Sequence, residues 1–129
     1  MSGIALEKHL HKIIEDDLNC KLNMTNDYDI FDYMNDDRSL YVELKGRNCL
    51  KSKYPTTMIG KNKIDEADLL LMTQARIYFY FSFIDGLYKF EYTKLNRSKL
   101  KFALGGRRDR GKDEIKMYCY IPVNLLIKV

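Results

Sequence analysis

Leu40, Val42 and Leu44 alternate with Tyr41, Glu43 and Lys45 in the stretch RSLYVELKGRN, residues 38–48. That period of two predicts a strand with one aliphatic and one polar face. Upstream, Ile4, Leu6, Leu10, Ile13, Ile14 and Leu18 recur close to helical spacing, predicting an amphipathic helix over 3–18 with Ser2 as N-cap. Glu7 lies three and seven residues from Leu10 and Ile14, so it sits on or beside the apolar face. YDIFDYM and SLYVELKGR, joined by NDD, predict a β-hairpin over 27–47. NCLKSKYPTT reads as a loop, and a helix is predicted over about 57–68. LLLMTQARIYFYFSFIDGLYKFEYT predicts two strands joined at Asp85-Gly86, the strongest hairpin signal in the chain. RSKLKFALGGRRDRGKDE reads as a linker with a Gly-rich basic loop, IKMYCYIPV as a last strand and NLLIKV as a tail. The order implies a mixed α/β domain around a central sheet, one domain spanning 1–129.

Composition narrows the possibilities. The longest apolar run, IYFYFSFI, is too short to cross a bilayer, and the N-terminus reads as an amphipathic helix rather than a leader. The expectation is an intracellular protein, of cytoplasm or nucleus, neither secreted nor membrane-bound. Three widely spaced cysteines argue against a disulfide framework. His9 and His11, two apart, fall on different helix faces and offer no zinc spacing. The aromatic run YFYFSF is continuous rather than interleaved with basic residues, which favours a buried strand over a base-stacking platform. The net charge of +4 is modest, but Lys and Arg dominate from Lys45 onward and crowd at GGRRDRGK. Arg107, Arg108 and Arg110 there, with Arg47 after the strand, have the charge and bidentate geometry to contact nucleic acid.

A hairpin turn centred on Asp36 sets Asp29 opposite Glu43 and Phe31 opposite Tyr41. Asp29, Glu43 and Lys45 then share a face, while Asp32 falls opposite Leu40 on the aliphatic side. A one-residue shift or a bulge would reverse that choice, so Asp32 stands as the alternative. Two opposed carboxylates repel unless a cation lies between them. Hard oxygen donors without Cys or His select Mg2+ or Mn2+. A lysine beside them can position water against a phosphate.

Asp29, thirteen residues, then Glu43-Leu44-Lys45 resembles the PD-(D/E)XK nuclease superfamily. Glu7 in GIALEKHL resembles the acid that many members place on the first helix, and TTMIGKNKIDEADLL resembles their second helix. Tyr28 stands where the eponymous Pro would be. The resemblance implies an α/β, restriction-endonuclease-like fold, a central mixed sheet flanked by helices. It implies that Asp29, Glu43 and the Leu44 carbonyl hold Mg2+ or Mn2+, that Lys45 orients the attacking water and that Glu7 assists. Lys63 would touch the scissile phosphate or support Lys45, with Lys61 beside it on nucleic acid. The implied activity is metal-dependent cleavage of DNA, structure-selective or of repair or resolvase type, by a homodimer. The rival reading is a nuclease fold that binds nucleic acid without cutting it.

Overall fold

A computed structural model describes residues 3–105 and 116–129. Helix α1 (Gly3–Leu18) leads into three strands, β1 (Asn23–Met24), β2 (Tyr33–Met34) and β3 (Leu40–Gly46). Strand β4 (Thr56–Gly60) and helix α2 (Lys61–Leu71) follow, then β5 (Arg76–Phe83) and β6 (Gly86–Tyr92). A short α3 (Lys94–Arg97) precedes β7 (Lys101–Gly105), β8 (Lys116–Pro122) and β9 (Ile127–Lys128). The larger sheet runs β1-β2-β3-β5-β6-β9 and the smaller β4-β8-β7. Strands β3 and β5 are parallel and every other pairing is antiparallel. The parallel pair needs a crossover, and β4 with α2 supplies it.

The alternation in β3 and β5 assigns the two faces of the large sheet. Leu40 and Val42 pack with Tyr78, Tyr80 and Ile14 of α1. The opposite face carries Ile77, Phe79, Phe81 and Phe83 against Ile64 and Ala67 of α2 and Ile59, Cys119 and Ile121 of the small sheet. Strand β5 is therefore covered on both sides, as its unbroken aromatic run requires. Each such ring contributes about 1.5–3 kcal/mol of burial. Tyr80 and Tyr92 keep hydroxyl partners, Asp17 at 2.6 Å and Asp68 at 2.5 Å.

The architecture is the mixed α/β arrangement, a central mixed sheet flanked by helices, that the resemblance implies. Three local expectations differ. Of YDIFDYM only Tyr33–Met34 pairs with β3. The helix expected from about residue 57 starts at Lys61. Residues 56–60 form β4 instead, because Thr57 and Ile59 find inward partners on β8 at Ile121 and Cys119. The segments read as linker and tail contain β7 and β9, and α3 leads into the linker.

Candidate active site

The register of β2 on β3 decides which acids meet. Tyr33 lies opposite Val42 and Met34 opposite Tyr41. The loop between them is closed by Asn35 N donating to Leu40 O at 3.1 Å, with Arg38 in the left-handed region at φ 58°. The turn is centred beyond Asp36, so one further step of the pairing sets Asp32, not Asp29, beside Glu43. The Asp32 Oδ2 accepts the Leu44 N–H at 2.8 Å, which fixes that carboxylate on the exposed edge of β3. Asp29 is exposed and closes its own turn, its Oδ2 accepting Asn26 N at 3.0 Å. The preference for Asp29 over Asp32 is thus corrected by the hairpin geometry.

Glu43 projects to the α2 side of the sheet and is 1% exposed. Lys63 Nζ of α2 lies 3.0 Å from its Oε2 and Lys45 Nζ 3.5 Å from the same oxygen. These are ion pairs by distance, and neither carboxylate oxygen gains a well-oriented hydrogen bond from a described residue. Lys63 Nζ donates to the Ile30 carbonyl, which ties α2 to the segment carrying Asp32. Burial pushes the Glu43 carboxyl up to about 7, and the Asp32 carboxylate beside it pushes the same way against the two lysines.

A buried carboxylate facing a second carboxylate is costly unless cations join them; both lysines reach Oε2, and Oε1 has no hydrogen-bond partner among the described residues. The donor set suits a hard divalent ion. Leu44 turns its N–H toward Asp32, and its carbonyl leaves the strand on the same edge. Asp32, Glu43 and the Leu44 carbonyl are the residues that would hold the ion. Among the described residues no group of three or more His, Cys, Asp or Glu could hold a metal.

A cavity of about 790 Å³ opens beside the pair, bordered by Glu7, Asp29, Asp32, Leu44 and Lys63. The exposed Glu7 of α1 thus borders the same cavity as Asp32, while Glu43 and Lys45 lie beside it rather than in its lining. The Tyr33 hydroxyl is raised by burial first, then by Asp32 and Glu7, so both charges act on one point. Lys61 is exposed and pairs with Asp65 at 2.8 Å. Arg47, expected at nucleic acid, spends its donors within the fold. Its Nε donates to Thr57 Oγ1 at 3.1 Å and its Nη2 to Met58 O, with the guanidinium over the Phe81 ring. It holds β4 against β3. Arg107, Arg108 and Arg110 lie outside the described residues.

A family model described as "Phage putative PDDEXK endonuclease" matches residues 2–129. No curated protein and no solved structure matches the chain.

Proposed function

Because the chain belongs to this phage PD-(D/E)XK endonuclease family, we propose that it hydrolyses phosphodiester bonds in DNA at Glu43 with a divalent cation. The observation that carries this reading is the buried Glu43 carboxylate, left without hydrogen bonds between Asp32 and two lysines. Mg2+ or Mn2+, held by Asp32, Glu43 and the Leu44 carbonyl, would polarise the scissile phosphate and lower the pKa of a water.

The protein's own groups do the rest. Lys45 is about two-fifths exposed and reaches solvent, so it orients the attacking water and stabilises charge gathering on the phosphoryl oxygens. Lys63 is more enclosed and held at both ends, by Glu43 and the Ile30 carbonyl. It positions Glu43 and keeps its charged form accessible. Glu7 stands across the cavity, where it can accept a hydrogen bond from water on that side. Asp29 is left out of the ligand set in favour of Asp32. Arg107, Arg108 and Arg110 supply cationic contacts to the phosphate backbone. The nuclease domain over 1–129 would act as a homodimer, which would provide two sites for two strands. The reading places the enzyme inside the cell, and a phage family gives the nucleus no support. No described helix is long and apolar enough to cross a membrane.

The test is cleavage of labelled duplex, nicked, branched and single-stranded DNA with and without Mg2+. Glu43→Gln and Lys45→Ala should each lower the rate by about a hundred- to a thousandfold, the loss of several kcal/mol of transition-state stabilisation. Binding of the same DNA in EDTA should change by less than about threefold. Undiminished cleavage by either variant would remove the residue from the mechanism.

A further inference from the structure

A second recess, of about 370 Å³, adjoins the catalytic cavity, and Arg47 and Phe83 border both. Its other walls are chiefly apolar or aromatic: Leu50, Tyr54, Met58 and Tyr120. Tyr54 is 58% exposed and Leu50 49%, so two apolar side chains stand open to solvent at its rim. One wall is the free edge of β4, which pairs with β8 alone. The Met58 carbonyl accepts from Arg47, so the Met58 backbone faces that edge, and Thr56, two residues earlier, faces the same way. The recess thus combines flat apolar walls with a short row of backbone donors and acceptors.

We propose that this recess receives one unstacked base of the substrate strand, next to the scissile phosphate. The inference rests on the nuclease reading of the neighbouring cavity. A phosphate at the acid pair places adjoining nucleotides within reach of the ridge formed by Arg47 and Phe83. Apolar walls reject a phosphate or a sugar but accept the face of a base, and an exposed tyrosine at the rim offers a stacking surface. Beside the Met58 carbonyl that Arg47 occupies, the Thr56 backbone on the β4 edge can hydrogen-bond the polar rim of the base, as extended backbone does for an added strand. The volume suits a small planar group. The enzyme would therefore favour DNA that is single-stranded or locally opened beside the cut, because a paired base must first leave the duplex.

The test scans one abasic position along a labelled single-stranded DNA, with binding measured in EDTA and cleavage in Mg2+. For the wild type, one position should weaken binding about tenfold, the size of one base–aromatic stack. Tyr54→Ala should weaken the intact strand by a similar factor and lose all further sensitivity to that abasic position, while Tyr54→Phe stays within about twofold. An abasic penalty that is equal at every position, or unchanged by Tyr54→Ala, would overturn the proposal, as would failure of the wild type to bind the strand. Cleavage without a positional penalty sinks the base pocket and leaves the hydrolytic reading standing. A positional penalty without cleavage does the reverse.

Discussion

Glu43 joins an electrostatic cost of folding to the chemistry. Its carboxyl titrates at about 7 in the fold against an ordinary value of 4.5. The folded protein therefore binds the proton more tightly than the unfolded chain. Stability from this group is fully present below about 4.5 and is lost as pH rises toward 7. The loss amounts to about 3 kcal/mol in metal-free protein. Urea midpoints measured from pH 4 to 8 in EDTA should fall across that window, and Glu43→Gln should flatten the slope. Mg2+ should restore stability above pH 7 by mass action, about 2.7 kcal/mol at a hundredfold excess over Kd, and should not do so in Glu43→Gln. An unchanged slope in Glu43→Gln would mean that the carboxylate is not strained. At this scale the sequence shows residue types well and partners poorly. Glu43 and Lys45 declare themselves through the two-residue period, and Lys63 through its place on a helix after them. Asp32 does not. Its pairing depends on a loop in which Arg38, neither Gly nor Asn, takes φ 58°. That loop moves the turn centre and with it every partner on β2.

Among the elements, length and local composition decide what can be read in advance. Strands β5 and β6 are long, aromatic and joined at Asp85-Gly86, where Gly86 takes φ 147°. A side chain is strained there, so Gly86→Ala should cost about 1–3 kcal/mol in a denaturant titration. A cost below about 0.5 kcal/mol would show that the turn relaxes. Strands β1, β2 and β9 have two residues each, too few to show a period. Strand β4 runs directly into α2, so its alternation merges with the helical pattern. It is a strand because β8 lies beside it, about sixty residues away in sequence. Arg47 also escapes sequence reading, since a cation after an active strand looks free for phosphate. Its donors go to β4 instead. Arg47→Ala should therefore destabilise the fold by about 2–3 kcal/mol, the scale of buried hydrogen bonds to a charged group. DNA binding measured on the folded fraction should change little. A large binding loss with unchanged stability would return Arg47 to the interface.

For the molecule as a whole, topology packs α1 and α2 on opposite faces of the large sheet, so that Glu7, Asp32 and Lys63 border one cavity with Glu43 and Lys45 beside it. The fold class was legible because the element order survives errors in single boundaries. The small sheet was not, although β8 itself was, because β4 is distant from β8 in sequence and β7 lies in a segment read as a linker. With a net charge of only +4, affinity for DNA depends on where the cations stand. Replacing Arg107, Arg108 and Arg110 by Ala should reduce the slope of log affinity against log salt by about 0.9 for each lost phosphate contact. An unchanged slope would place the backbone contacts elsewhere. The central claim is that Asp32 and Glu43 share the catalytic cation. Its most direct test is cleavage in Mg2+ by Asp32→Asn and Asp29→Asn, side by side on one labelled DNA. Asp32→Asn should lose about a hundredfold or more while Asp29→Asn stays within a few-fold of wild type. Full activity in Asp32→Asn, or loss confined to Asp29→Asn, would contradict it.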